Sequence, residues 1–212
     1  MNTLIVGLGN PGPFYANTRH QIGQVAVEMV ADILALQLKD TRNVGRTTTK
    51  SWVQEDRETW NYLTLQVPTV GMNDSGSQIK GLIDFVDKAQ QNIKKYDRII
   101  VLHDDMAIPF GQIRLKKNSG NHAGNNGIRS IVAEGIAFTQ LKIGIGAPAE
   151  GRTALQHALS HFEPEELAVL HPIIFAAADL ALRCATEEVG TTTINVLEAG
   201  TTLPSSDKEA SV

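Results

Sequence analysis

Hydrophobic residues along the chain follow two spacings that alternate from one segment to the next. Residues 3–6 (TLIV) form a short apolar run, which is typical of a buried strand. Residues 22–38 carry apolar side chains at helical spacing, and residues 60–68 alternate between apolar and polar as a half-buried strand does. The polar stretch 39–51 between them is predicted to be a loop or an edge segment. The first third of the chain therefore predicts a strand, a helix and a second strand.

The alternation continues to about residue 190. Helical spacing predicts a helix over 72–86, and the apolar run 98–102 is typical of a central strand in a parallel sheet. The remaining predicted elements are strands at 111–116 and 139–146, helices at 127–135 and over most of 153–189, and a polar loop at 117–127. Together they predict an α/β fold: a single three-layer domain over residues 1–195, with a mixed, mostly parallel twisted sheet flanked by helices. Residues 196–212 are predicted to be a disordered tail.

Composition narrows the class of protein. The 212 residues include 42% hydrophobic and 20% charged residues, which is the balance of an ordinary globular protein. A single cysteine, Cys184, excludes a disulfide framework and a cysteine-rich metal site. We find no signal peptide and no window approaching the ~18 apolar residues of a membrane span, so we expect a soluble, cytoplasmic protein, with an organelle as the alternative. Because the formal net charge is −4, any role on RNA must depend on a local basic patch.

The first predicted strand is followed by GLGNPG at residues 7–12, which fits the G-x-G-x-x-G pattern of dinucleotide-binding turns. In such a site the third glycine opens a helix whose N-terminus holds the pyrophosphate. Here about ten residues separate Gly12 from the predicted helix, and Pro11 removes one N–H group. The sequence therefore argues against NAD, and we expect no cofactor. What remains is a tight turn at a strand end that carries Asn10.

Polar side chains with complementary chemistry fall at strand ends or in loops. They are Asn10, Thr18–His20, Met72–Gly76, His103–Asp105 and Asn125–Gly127. A histidine oriented by a carboxylate can act as a general base on water, and amide N–H groups can bind a carbonyl oxygen as negative charge develops on it. This inventory favours hydrolysis of an acyl compound without a metal or a covalent nucleophile. Structural roles remain the alternative, because asparagines in glycine-rich loops are often turn residues and a loop histidine is often structural.

Taken in order, these segments resemble the bacterial-type peptidyl-tRNA hydrolase family. The resemblance is carried by IVGLGNPGPFYANTRHQIG (5–23), VPTVGMNDSG (67–76), VLHDDMAIPFGQIRLK (101–116), SGNHAGNNGIRSI (119–131) and LKIGIGAP (141–148). It implies cleavage of the ester bond between a peptide and the 3′-terminal ribose of tRNA, which recycles tRNA from aborted translation. We accordingly expect a monomer with peptidyl-tRNA as its partner, without a metal ion, a cofactor or a membrane.

The resemblance also implies roles for individual residues. His20 is implied as the catalytic base and Asp104 as the residue that orients it. Residues implied to bind the peptide and the terminal nucleotide, line the cleft or contact the tRNA end are Asn10, Asn73, Asn126, Met72 and Tyr15. Candidates for contacts with tRNA phosphates are Lys116, Lys117, Arg129 and Lys142. Further basic residues lie on another loop, at Arg42, Arg46 and Lys50.

The chain departs from the family's usual pattern at several places, and the segment GIAFTQ (135–140) looks shortened. Gln21 replaces an asparagine after the histidine, Asn125 replaces a histidine, Met106-Ala107 stands where an acid is common, and Lys142 replaces an arginine. These departures and the acidic net charge motivate an alternative function: a catalytically weakened homologue that serves as an RNA-binding or RNA-processing partner. The presence of both His20 and Asp104 argues against it, because a binding protein needs no base–acid pair.

Overall fold

The computed structural model describes residues 1–54, 59–89, 96–117, 122 and 124–198. Eight strands within these residues form one sheet: β1 Asn2–Gly7, β2 Lys39–Thr41, β3 Gly45–Gln54, β4 Thr59–Val67, β5 Arg98–Asp105, β6 Gln112–Lys116, β7 Thr139–Gly144 and β8 Thr192–Asn195. The α-helices in the same residues are α1 Ile22–Ile33, α2 Ser75–Ala89, α3 Asn126–Ala133, α4 Ala154–Ala158 and α5 Pro164–Thr186. Short 3-10 turns span Pro13–Tyr15, Arg19–Gln21 and Met72–Asp74.

The strands lie in the order β2-β3-β4-β1-β5-β7-β6-β8. The four central strands β4, β1, β5 and β7 are parallel. Strands β2 and β3 at one edge, and β6 and β8 at the other, pair antiparallel. The predicted mixed sheet flanked by helices is confirmed, and its parallel pairing is confined to the centre, a smaller share than the sequence predicted.

Helices cover both faces of the sheet and produce the three layers. Helices α1 and α5 pack together on one face, where Ile5 and Leu102 point. Helices α2 and α3 pack on the other face, where Leu4, Val6 and Val101 point. Successive residues of β1 therefore enter opposite layers, as the period of a strand requires. Because both faces are covered, β1 and the first part of β5 are apolar at successive positions rather than alternating, at residues 4–6 and 99–102.

In the first half of the chain, the predicted edge segment is present and one predicted helix boundary differs from the structure. The stretch 39–51 forms most of an edge hairpin, β2 and β3, which turns at Asn43 with a left-handed φ of 66°. Helix α1 ends at Ile33, five residues before the predicted end. It ends there because Ala35 adopts a φ of 52° and the N–H of Leu36 donates to the carbonyl of Ala31 at 2.8 Å, closing the helix.

The predicted helical region 153–189 consists of two helices, because capping boxes at Thr153 and Glu163 begin α4 and α5 separately. Helix α5 contains an 18-residue window with a mean hydropathy of 1.7, so by length and composition it could cross a membrane. This corrects the expectation that no window approaches a span. A single such helix is weak evidence, because a core helix has the same composition. Here 39% of the window is buried, and Ile173 and Ala177 are fully buried in the layer shared with α1.

The end of the predicted domain also differs. Strand β8, which the sequence did not predict, pairs with β6 at the sheet edge. Val196, assigned to the tail, is 4% exposed, and its N–H donates to the carbonyl of Gly111 at 2.9 Å. The rest of the predicted tail, from residue 199, lies outside the described residues.

Candidate active site

The carboxyl ends of β1 and β5 lie side by side and carry the first site residues. The parallel register pairs Gly7 with Leu102, and the N–H of Leu8 donates to the carbonyl of Leu102 at 3.0 Å. Asp104 follows two residues later on β5, and the chain leaving β1 turns through Asn10. Both predicted segments thus reach one edge of the parallel sheet, which is where ligands bind in α/β folds.

The 3-10 turn that carries His20 is held over this edge by the residues around it. At Gly23, a Cβ atom would lie 2.3 Å from the carbonyl oxygen of Leu102, so only glycine lets α1 begin this close to the sheet. On the other side of His20, the guanidinium of Arg19 bonds both carboxylate oxygens of Glu166, at 2.8 and 2.5 Å. Arg19 is 3% exposed and was not predicted as a site residue.

His20 and Asp104 form a hydrogen-bonded pair. The Nδ1 atom of His20 lies 2.8 Å from Oδ1 of Asp104, and the side chains are 15% and 4% exposed. Burial alone lowers the pKa of His20, but the charge of Asp104 and the hydrogen bond to it raise that pKa above its ordinary value. An ionised Asp104 accepts the proton on Nδ1, which leaves Nε2 able to take a proton. The pair has the arrangement of a general base and its orienting acid.

Asn125 also contacts the pair, which the sequence did not predict. Its Nδ2 donates to Oδ1 of Asp104 at 3.1 Å. Its Oδ1 accepts the backbone N–H groups of Gly127 and Ile128, at 3.0 and 3.2 Å, and thereby caps α3. The loop before α3 is therefore tied to the end of β5 through one side chain.

Asn10 is held in place by Gln21, the residue after His20. The side-chain oxygen of Gln21 accepts the N–H of Asn10 at 2.6 Å, and its NH2 group donates to the carbonyl of Asn10 at 2.8 Å. The Oδ1 atom of Asn10 accepts the N–H of Met72 at 2.9 Å. Within the described residues Nδ2 of Asn10 makes no hydrogen bond, so it remains a donor for a ligand. The sequence identified Gln21 only as a departure from a pattern.

Asn73 and Asn126 are exposed and come together at a cleft of about 450 Å³. Asn126 also lines a second cavity, of about 400 Å³, which contains His20, Asp104 and Asn125. The two clefts therefore meet at Asn126. Met72, predicted to line the cleft, lines neither of them and is 6% exposed. It is buried against Gly127, where a Cβ atom would lie 2.4 Å from the Met72 sulfur.

The remaining candidates differ in their positions. Tyr15 is half-buried and packs edge-to-face against the exposed ring of Phe14, with ring centroids 5.3 Å apart. His122 lines the His20 cavity, and its Nδ1 accepts the N–H of Gly124 at 3.2 Å. His103 is buried in β5, and this burial lowers its pKa, which makes it a neutral structural residue. In the part of the chain that the structure describes, no three His, Cys, Asp or Glu side chains are placed to hold a metal ion.

Comparison with known proteins identifies the family. A profile of the peptidyl-tRNA hydrolase family matches residues 4–203. The chain belongs to the peptidyl-tRNA hydrolase family. The peptidyl-tRNA hydrolase of Lactococcus lactis subsp. cremoris is 34% identical over 181 residues, covering 84% of this chain and 90% of that protein. The one from Mycobacterium tuberculosis (strain H37Rv) is 39% identical over 178 residues, covering 83% and 87%. The crystal structure of peptidyl-tRNA hydrolase from Acinetobacter baumannii matches with a TM-score of 0.67 and 31% identity, over 86% and 91% of the two chains.

Membership in the peptidyl-tRNA hydrolase family confirms the enzyme class that the sequence predicted. The chain is a hydrolase of the peptidyl-tRNA ester bond, and its α/β architecture is that of the solved family structures. The alternative function, a weakened homologue that serves an RNA-processing partner, is not supported, because the relatives named above are all peptidyl-tRNA hydrolases.

Lys142 does not lie where a contact with tRNA phosphate requires it. It is 7% exposed, and its Nζ donates to Oδ2 of Asp105 at 2.7 Å. Although burial raises the pKa of Asp105, the hydrogen bond and charge of Lys142 bring it below its ordinary value. The prediction of a phosphate contact is corrected here: both faces of β7 are covered, so the Lys142 ammonium is buried, and the Asp105 carboxylate beside it neutralises its charge.

The other basic candidates are on the surface. Lys116 of β6 pairs with Gln140 of β7, whereas Asp104 pairs with Ile143, three residues further along β7. Lys116 therefore lies about 10 Å from Asp104 along the strand direction, away from the edge of the sheet that carries the site. Lys117 forms an ion pair with Glu188 at 2.8 Å. Arg129 is exposed on α3 and lines the same cleft as Asn126.

Proposed function

We propose that His20 and Asp104 activate water for hydrolysis of the peptidyl-tRNA ester. The Nε2 atom of His20 takes a proton from water as the water oxygen attacks the ester carbonyl carbon. The tetrahedral intermediate collapses when the bond from this carbon to the ribose oxygen breaks, and His20 returns its proton to that oxygen. The products are a peptide with a free carboxyl group and a tRNA with a free terminal hydroxyl. The 2.8 Å contact between His20 and Asp104 carries this proposal.

Asn10, Asn73 and Asn126 bind the acyl part of the substrate. Each primary amide offers a donor and an acceptor, which matches the groups of a peptide backbone. The oxygen of Asn10 is already occupied by the N–H of Met72, so Asn10 contributes its NH2 group. A neutral amide donor suits the carbonyl oxygen of the ester, because negative charge grows on that oxygen in the transition state.

The tRNA part of the substrate extends from this site over the protein surface. Arg129 has the strongest support as a phosphate contact, because it is exposed beside Asn126 and makes no ion pair within the described residues. Lys116 and Lys117 extend the basic surface, and Tyr15 contacts the terminal nucleotide. Binding that depends on so few cations weakens as salt is added.

The enzyme acts as a monomer in the cytoplasm, where translation supplies peptidyl-tRNA. All the residues assigned to the reaction come from one chain. It needs no metal ion, cofactor or membrane, because the imidazole supplies the base and the amide groups supply the donors to the oxyanion.

The test uses N-acetyl-aminoacyl-tRNA labelled in the acyl group, with EDTA present. The wild-type protein releases the labelled acyl group, and His20→Ala lowers the rate by about 10²- to 10⁴-fold. The matched control is His171→Ala, which removes an exposed histidine from α5 and leaves the rate unchanged. Near wild-type hydrolysis by folded His20→Ala would assign the base elsewhere. Binding of the substrate without release by the wild-type protein would contradict the proposed reaction.

A further inference from the structure

We infer that Asn125 is a positioning residue for the reaction: its amide, held by the N-terminus of α3, fixes the Asp104 carboxylate that orients His20. This inference rests on the proposed roles of His20 and Asp104. It differs from them because Asn125 acts through Asp104 and does not itself exchange a proton. The contact that motivates it joins Nδ2 of Asn125 to Oδ1 of Asp104 at 3.1 Å.

The helix terminus determines which end of the Asn125 amide faces the catalytic pair. The first N–H groups of a helix have no partner within it, and those of Gly127 and Ile128 both point at Oδ1 of Asn125. A flipped amide would set its NH2 group against these donors and its oxygen against the carboxylate. Both contacts would be repulsive, so the NH2 group is directed at Asp104.

The Oδ1 atom of Asp104 accepts two hydrogen bonds, and together they fix the orientation of the carboxylate. Oδ1 of Asp104 receives Nδ1 of His20 at 2.8 Å and Nδ2 of Asn125 at 3.1 Å. A carboxylate held by a single donor can rotate and present its other oxygen. Two donors on the same oxygen, from α3 and from the turn before α1, hold the carboxylate plane where it meets the imidazole. A shielded position strengthens both bonds, since Asp104 is 4% exposed.

An amide also keeps this contact constant across the pH range in which His20 titrates. An asparagine carries no ionisable proton, whereas a histidine at this position would titrate in the same range. The other titratable side chains that line the cavity are His103, Asp105 and His122. His103 is fully buried and Asp105 is paired with Lys142, whereas His122 is only partly buried, so its presence in the cavity needs a control. The variant His122→Asn serves that purpose.

Two substitutions separate the cap of α3 from the contact with Asp104. Asn125→Ser keeps a capping oxygen but shortens the side chain and removes the amide donor. We expect kcat to fall roughly tenfold to a hundredfold, with KM changed by less than about threefold, because a hydrogen bond to a charged group is lost while the substrate contacts remain. The melting temperature should change little, since serine caps about as well as asparagine.

Asn125→Asp keeps both the shape and the cap, and it replaces the donor with a carboxylate oxygen. The distances of 2.8 and 3.1 Å place this oxygen within about 6 Å of the imidazole. Either the added charge raises the pKa of His20, or the two carboxylates share a proton and add an ionisation to the rate. In both cases the pH–rate profile changes by about one pH unit or more. The matched control is Asn43→Asp, which adds the same charge at the exposed β2–β3 turn.

The measurements are kcat, KM and the pH–rate profile with acyl-labelled N-acetyl-aminoacyl-tRNA, each in the wild-type and His122→Asn backgrounds. The inference is overturned if Asn125→Ser retains kcat within about threefold, or if Asn125→Asp has the wild-type pH profile. Should Asn125→Ser fail to fold, Asn125→Asp alone decides, because its cap is preserved. His20→Ala is measured in parallel. If His20→Ala remains active, the proposed function is wrong. If His20→Ala is inactive but the Asn125 variants behave as the wild-type protein does, only the inference about Asn125 is wrong.

Discussion

The substitution Asp104→Asn tests the catalytic pair most directly. It keeps the size of a side chain that is 4% exposed and removes the charge that lies 2.8 Å from Nδ1 of His20. A hydrogen bond to a charged group is worth about 1.5–3 kcal/mol, or roughly a 10- to 150-fold loss of rate. The new amide can also donate to Nδ1, which moves the proton to Nε2 and removes the base; in serine proteases the equivalent change costs about 10⁴-fold. We therefore expect a loss of about 10²- to 10⁴-fold.

The same substitution changes the pH dependence in a known direction. In the wild-type protein Asp104 raises the pKa of His20 against the effect of burial. Without the carboxylate only burial remains, so the pKa falls and the residual activity persists to lower pH. Stability changes as well. The pKa of His20 is raised above 6.5 in the folded protein, so its protonated form stabilises the fold. This stabilisation is fully present below about pH 6.5 and is lost as the pH rises through the pKa of the folded state. The free energy of unfolding of the wild-type protein should therefore exceed that of Asp104→Asn by more at about pH 5.5 than at about pH 8.

The assay is single-turnover release of the labelled acyl group from about pH 5 to about pH 9, with melting temperatures measured at both ends. Asp40→Asn is the matched control, because it removes an exposed carboxylate from the edge strand β2. A loss below about threefold for Asp104→Asn would refute the orienting role. If the rate of Asp104→Asn fell off at the same acidic pH as that of the wild-type protein, the pH dependence of the rate would not arise from protonation of His20.

Other parts of the site make separate predictions. Gln21→Met should lower kcat/KM about tenfold without moving the pH profile, because it removes both bonds to Asn10 and leaves Asp104 in place; a shifted profile would contradict this. Lys142→Met should lower the free energy of unfolding in urea by about 3 kcal/mol, since it leaves Asp105 buried and unpaired. The salt dependence of tRNA binding by Lys142→Met should equal that of the wild-type protein. A changed salt dependence would indicate that Lys142 does contact tRNA phosphate. Arg129→Ala should weaken tRNA binding and reduce the salt slope by about one, measured by filter binding; an unchanged slope would remove it from the interface.

The hydrophobic pattern along the chain was sufficient to predict the strands at the centre of the sheet. The apolar runs at 3–6 and 98–102 predicted β1 and β5 correctly, because a strand covered on both faces must be apolar at successive positions. The resemblance to the family implied a common site for His20, Asp104 and Asn10, and the structure places Nδ1 of His20 2.8 Å from Oδ1 of Asp104. The order of the motifs predicted the family.

Contacts between residues far apart in the chain could not be predicted from any local pattern. Lys142 reads as a surface cation in the sequence, but the pairing of β5 with β7 sets it beside Asp105. Asn125 reads as a turn residue, but its capping of α3 directs its NH2 group at Asp104. Strand β8 was missed for the same reason, and the stretch 39–51 could be predicted only as a loop or an edge segment. These strands are too polar or too short to show a clear pattern, and they form because a neighbouring strand offers hydrogen bonds. Local spacing encodes which surfaces are buried, whereas polar contacts depend on register and helix placement, which no short stretch of sequence contains.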